Sequence, residues 1–104
     1  SPKEILEARD FNNEVSNRIK QVVSGDGYKR TDLLNTMCTN LCLYLSSEQY
    51  TFEQSHKENF INFCLHQDMV GSMQFKVHHL LSQSEKTKPL LRDPRLAEVV
   101  LKAM

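Results

Sequence analysis

Residues that interrupt regular structure are scarce in this sequence of 104 residues. Tryptophan is absent, and glycine and proline each occur only three times. These two residues supply most turns and breaks, and runs of β-branched residues that would favour strands are also few. The composition therefore favours helices joined by short turns.

An excess of charge of one sign is missing as well. Thirteen lysines and arginines balance thirteen aspartates and glutamates, so the chain lacks a general attraction to phosphate backbones or anionic membranes. No apolar run approaches the roughly 20 residues that cross a bilayer, and no signal segment opens the chain. We expect no membrane partner, and nucleic acid is the less favoured one.

Cysteine occurs three times, an odd number that does not suit the disulfide framework of a small secreted fold. A reducing compartment, the cytosol or the nucleus, is therefore the expected location. The apolar fraction of 39% is enough for one core, and the chain starts at Ser1 without an initiator methionine. We expect residues 1–104 to be a single domain excised from a longer intracellular protein.

The strongest structural pattern is a wide apolar stripe between Thr31 and Leu45. Apolar residues recur there at steps of three and four, which places them on one face of a helix. The stripe consists of Leu34, Met37, Cys38, Leu41, Cys42 and Leu45, widened by Leu33 and Leu43. Because so wide a stripe needs burial on more than one side, we predict a central helix from Thr31 or Asp32 to about Ser46.

Capping patterns predict four further helices around this central one. Two stretches, 1–4 and 51–54, have the form of a capping box, and Asp68 and Asp93 are suited to cap helices. The predicted helices run from Ser1 to a turn at Ser24 and Gly25, from Thr51 to His66 or Gln67, from Asp68 to about Leu81, and from Asp93 onward. The helix from Thr51 carries an apolar stripe of Phe52, His56, Phe60, Phe63 and Cys64. The sequence therefore predicts an all-α fold, an antiparallel helical bundle of four main helices plus a short C-terminal helix.

Several residues could in principle bind a metal ion. The candidates are Cys38, Cys42, Cys64, His66, His78 and His79. Structural zinc sites usually take their ligands from turns and tight knuckles, whereas the first two cysteines lie on the apolar stripe. A free cysteine there behaves as a small hydrophobic residue. We therefore predict buried thiols, no metal site and no cofactor.

A catalytic nucleophile would need a base and an oxyanion site beside it. Cys64 with His56 or His78 is the combination available, but no glycine-flanked nucleophile turn accompanies it. The acidic residues of the first helix lie on a face expected to be solvated. The sequence therefore predicts no catalytic residues, no small-molecule substrate and no enzymatic activity.

An apolar strip near the C-terminus is a candidate surface for a partner. It comprises Leu90, Leu91, Leu96, Val100 and Leu101. At about 100° per residue, Leu101 points roughly 140° away from Leu96, so two sides of this helix need cover. Either the helix is sandwiched in the bundle, or the strip binds a partner helix, a peptide or a second copy of the domain.

A local basic patch is the competing candidate. Its residues are Lys29, Arg30, Lys86, Lys88, Arg92 and Arg95. Proteins that bind single strands interleave such charges with aromatic residues, and only Tyr28 is near in sequence. The favoured function is therefore a non-enzymatic protein–protein interaction module, an adaptor or scaffold that binds an amphipathic helix or peptide or associates with itself. A helical nucleic-acid-associated domain is the alternative.

Overall fold

A computed structural model describes residues 1–21, 27–66, 69 and 71–97. This part of the chain is helical and contains no strand. Its helices are α1 (Pro2–Glu7), α2 (Phe11–Lys20), α3 (Gly27–Ser46), α4 (Gln54–Cys64), α5 (Gly71–Ser82) and a 3-10 helix (Lys88–Arg92), followed by a helical turn at 94–97. The predicted all-α bundle is confirmed, with α2 to α5 as its four main helices.

Helix α3, the longest of the described helices, packs against α1 and α5. All six residues of the predicted stripe are buried, and none is more than 6% exposed. Leu33 is partly buried against the same core, but Leu43 is 55% exposed. The predicted widening of the stripe at Leu43 is wrong, because a residue two positions from both Leu41 and Leu45 lies on the far side of the helix. The helix also begins at Gly27, before the predicted caps.

The single long first helix predicted from Ser1 is also wrong, because the helix is interrupted between α1 and α2. Ala8 is extended, and the Asp10 carboxylate accepts a hydrogen bond from the N–H of Asn13 at 3.1 Å, which starts α2. The Asn59 amide of α4 donates to the carbonyls of Leu6 at 2.6 Å and Ala8 at 3.1 Å. A side chain distant in sequence thus satisfies carbonyls that the end of a helix leaves without partners.

The capping box predicted at 51–54 does not form either. Helix α4 begins at Gln54, and its N-cap residue, Glu53, makes no side-chain capping hydrogen bond. Instead, the N–H of Glu53 donates to the hydroxyl of Tyr50 at 3.3 Å. Phe52 therefore precedes the helix and is 56% exposed, whereas the remaining residues of the predicted stripe, His56, Phe60, Phe63 and Cys64, are buried.

The C-terminal part of the described chain follows the prediction more closely. The Asp93 carbonyl accepts from the N–H groups of Leu96 and Ala97, so a helical turn begins where the sequence predicts. Leu96 is 3% exposed and joins the same core as the helices. The predicted turn at Gly25, the predicted cap Asp68 and residues 98–104 lie outside the described residues.

Within the described residues, no helix combines the length and apolar character that crossing a bilayer requires.

Candidate functional site

An apolar groove opens beside the C-terminal end of α3. Its walls come from that end, from the loop that follows it, from the segment after α5 and from the 3-10 helix. The cavity has a volume of about 300 Å³ and is lined by Leu45, Tyr50, Phe52, Lys86, Thr87, Pro89 and Leu90. We call it the α3 groove. A volume of this size accommodates one large side chain or a small apolar ligand.

Tyr50 forms a rigid wall of the α3 groove. Its ring is 5.4 Å from that of Tyr44 and 5.8 Å from that of His56, measured between centroids. Its hydroxyl accepts from the N–H of Glu53, and burial raises the pKa of that hydroxyl. Aromatic neighbours and a hydrogen bond therefore hold the ring in one orientation, so this wall exists before any ligand arrives.

Phe52 is the exposed aromatic residue of the described groove lining. It lies in the loop just before α4, with 56% of its surface in water. Covering apolar surface contributes about 25 cal/mol per Å², so a ligand that packs on this ring gains free energy from it. Phe75 on α5, 44% exposed and outside the groove, is a natural control for the effect of an exposed phenylalanine.

Lys86 contributes the only charge among the residues that line the groove. Its ammonium donates to the carbonyl of Ser47 at 2.5 Å and to that of Tyr50, and lies 5.6 Å from the centroid of the Tyr50 ring. A cation is favourable there because the carbonyls at the C-terminal end of a helix carry partial negative charge. An ammonium has three N–H donors, so one remains. No carboxylate in the described part of the chain pairs with it.

Thr87 fixes the segment that carries Lys86. It is 1% exposed, and its hydroxyl donates to the carbonyl of Leu81 at 2.6 Å. Its own N–H donates to the carbonyl of Ser84 at 3.2 Å, which closes the turn after α5. These hydrogen bonds fix the polar segment between α5 and the 3-10 helix against the core.

A second cavity, of about 180 Å³, lies between α1, α2 and α3. Its lining includes Arg18 and Asn40 besides apolar residues. The guanidinium of Arg18 already pairs with Glu14 at 3.0 Å. This cavity is smaller and more polar than the α3 groove, and the charged side chain of its described lining, Arg18, is already paired.

The predicted apolar strip is divided by the structure. Leu90 and Leu96 are 7% and 3% exposed and belong to the core, and Leu91 is partly buried against it. Val100 and Leu101 lie outside the described residues. Of the strip, only Leu90 lines the α3 groove. Packing into the bundle, the first of the two alternatives drawn from the sequence, is what Leu90 and Leu96 do.

The predicted basic patch is divided as well. The guanidinium of Arg95 lies 2.8 Å from Glu58 and 3.0 Å from Asp93, and Lys88 lies 2.5 Å from Glu85. The remaining members are Lys29, Arg30 and Arg92, which are exposed, and Lys86, which lines the α3 groove. Arg95 and Lys88 thus already have acidic partners, which reduces their attraction for phosphate.

The three cysteines are buried and none exceeds 2% exposure. Burial raises the pKa of Cys64 well above its usual value. A hydrogen bond with Cys38 and burial together raise the pKa of Cys42. Cys64, the predicted candidate nucleophile, is therefore a neutral thiol inside the core. Among the described residues, no three potential ligands come together in a way that could hold a metal ion.

His56 is the buried polar group behind the groove. It is 5% exposed, and its Nε2 lies 3.4 Å from the carboxylate of Glu53. Within the described chain, its Nδ1 is buried and has no hydrogen-bond partner. Because its ring packs against that of Tyr50, His56 helps to hold the groove wall in place.

Comparison with known protein families, with curated proteins and with solved structures finds no match to this chain.

Proposed function

We propose that this domain is a non-enzymatic protein-interaction module, an adaptor or scaffold, whose α3 groove receives an apolar side chain of a partner peptide. The observation that carries the proposal is Phe52, a phenylalanine 56% exposed on the wall of a preformed apolar groove. Exposed apolar surface beside a pocket is typical of interaction sites.

The chemistry of the lining supports a peptide over nucleic acid. Leu45, Phe52, Pro89 and Leu90 offer hydrocarbon surface, and a single cation, Lys86, lies among them. Binding to a phosphate backbone draws on several unpaired cations, but Arg95 and Lys88 are already paired with carboxylates. An apolar anchor that fills a pocket is the usual source of binding energy at a peptide interface.

Selection of displayed random peptides on the 104-residue chain tests the proposal. We expect the enriched peptides to share a large apolar residue and to lose about tenfold or more in affinity for Phe52→Ala, because the groove loses one wall. Phe75→Ala removes a phenylalanine ring of similar exposure that lies on α5, outside the groove, and should leave the affinity for these peptides unchanged. If wild type and Phe52→Ala select and bind the same peptides equally well, the proposal is wrong.

Light scattering over a range of concentrations separates a partner peptide from a second copy of the chain. We expect a monomer, with the groove open to peptides. A dimer that dissociates on Phe52→Ala but persists on Phe75→Ala would show that a second copy occupies the groove, and would overturn the peptide as its occupant.

A further inference from the structure

We infer that the α3 groove recognises the free C-terminus of a partner chain. The carboxylate of the last residue would pair with Lys86, and the apolar side chain of the same residue would enter the groove. This inference rests on the proposed function and narrows the peptide to one that ends in leucine, isoleucine, methionine or phenylalanine.

The unmatched charge of Lys86 indicates an anionic ligand. Its two acceptors, the carbonyls of Ser47 and Tyr50, are neutral groups and leave the positive charge without a counter-charge among the described residues. The nearby Lys88, by contrast, pairs with Glu85 at 2.5 Å. Lys86 is exposed, so an incoming carboxylate can reach the third N–H of the ammonium.

The size of the groove indicates a single residue. A bound amphipathic helix presents several anchors, spaced by three and four residues over about 10 Å, and needs a long groove. The α3 groove, at about 300 Å³, has room for one large side chain. A chain terminus carries its carboxylate on the same Cα as its side chain, so one residue supplies both the charge and the apolar group.

The distance between charge and apolar wall fits this arrangement. The Lys86 ammonium lies 5.6 Å from the centre of the Tyr50 ring, and that ring is itself part of the lining. A terminal residue spans about this distance from its carboxylate to the end of its side chain.

The lining indicates that the terminal side chain is apolar. Leu45, Phe52, Pro89 and Leu90 offer hydrocarbon surface. The Thr87 hydroxyl donates its proton to the carbonyl of Leu81, whereas the Tyr50 hydroxyl accepts from the N–H of Glu53 and keeps its own proton. A polar terminal side chain would lose its water against a surface that is mostly hydrocarbon, which disfavours its entry.

Matched acid and amide peptides test the inference. The probes are N-acetylated hexapeptides of glycine and serine that end in leucine, prepared with a free carboxylate or a C-terminal amide and titrated by NMR into the ¹⁵N-labelled chain. We expect the free acid to bind about tenfold more tightly, as a charge-assisted hydrogen bond allows. We also expect that advantage to shrink at high salt, because the charges are exposed.

Variants locate the effect at Lys86. Lys86→Met should abolish the preference for the acid, Lys86→Arg should retain it because the charge remains, and Lys88→Met should leave it unchanged. Because Lys86 also binds the end of α3, circular dichroism must first show that Lys86→Met is folded. If it is not, the comparison of acid with amide on the wild-type chain decides the question without it.

The outcomes separate this inference from the proposed function. Equal binding of acid and amide, with both weakened by Phe52→Ala, would overturn recognition of the C-terminus and leave the peptide groove intact. No binding of either form at millimolar concentration would also overturn it. The proposed function fails separately, if displayed peptides bind Phe52→Ala as well as wild type.

Discussion

Two regions of the molecule, the ion pairs around Asp93 and the α3 groove, differ in how their charges are used. At the first, Asp93 is paired with Arg95 and Lys57, and Arg95 with Glu58, so each of these charges has an opposite one. At the second, the acceptors of Lys86 among the described residues are carbonyls, and Phe52 is exposed. The first joins the C-terminal turn to α4, whereas the second has capacity left for a ligand.

Basic residues that look alike in sequence therefore have different partners in the structure. Arg95 makes hydrogen bonds to two carboxylates, which explains why the side chain of Asp93, 8% exposed, tolerates its location. Lys86 instead binds the end of a helix and faces the groove. Paired charges indicate a structural role, whereas the proposed recognition role rests on a charge that has no counter-charge among the described residues and lies beside apolar surface.

The largest expected effect is a difference in stability between variants of two phenylalanines, Phe60 in α4 and Phe52 in the loop before it. Phe60 is fully buried, so Phe60→Ala should destabilise the fold by about 3–5 kcal/mol because it removes a core ring and leaves a cavity. Phe52→Ala should change stability by less than about 0.5 kcal/mol, since Phe52 is 56% exposed. Urea denaturation measures both. Similar losses for the two variants would contradict the assignment of Phe52 to a binding surface.

An intermediate effect is expected at Lys86. Lys86→Met should destabilise the chain by about 1–3 kcal/mol, because two carbonyls near the end of α3 lose a charged donor. Lys88→Met is the matched control. Its exposed ion pair with Glu85 contributes little, so we expect a change below about 1 kcal/mol. Equal melting temperatures for wild type and Lys86→Met would show that Lys86 does not support the loop.

The smallest effect depends on pH and probes the paired region. Hydrogen bonds from Arg95 lower the pKa of Asp93 to about 2. Because this value lies below that of an unfolded aspartate, about 3.9, the stabilisation is complete above about pH 4 and is lost as the pH falls towards 2. We expect Asp93→Asn and Arg95→Gln to flatten the dependence of melting temperature on pH over this range.

An acid titration of Lys86→Met provides the contrast, because it leaves the Asp93 network intact. Its melting temperature should fall with pH as steeply as that of wild type. If Asp93→Asn retains the wild-type slope, the paired region does not contribute to acid stability as inferred.

Much of the fold is predictable from local patterns, whereas the candidate site is not. The stripe of α3 predicts its buried face because residues at steps of three and four must share one side of a helix. The continuous helix from Ser1 is wrong because Asn59, distant in sequence, binds carbonyls at the break. The capping box at 51–54 is wrong because the N–H of Glu53 donates to the hydroxyl of Tyr50, a contact that the capping-box pattern does not include. Phe52 is predicted to belong to the apolar stripe of the helix after this box because the pattern starts that helix at Thr51, whereas α4 begins at Gln54.

The sequence by itself determined the helical class, the buried face of α3 and the burial of the cysteines, because these follow from periodicity and composition. The tertiary structure alone decided where the first helix breaks, since the Asn59 amide binds carbonyls more than fifty residues away. It also decided that Arg95 is paired with carboxylates and that Lys86 binds carbonyls, because both arrangements depend on contacts across the bundle. The α3 groove exists only where two segments distant in sequence, residues 45–52 and 86–90, meet.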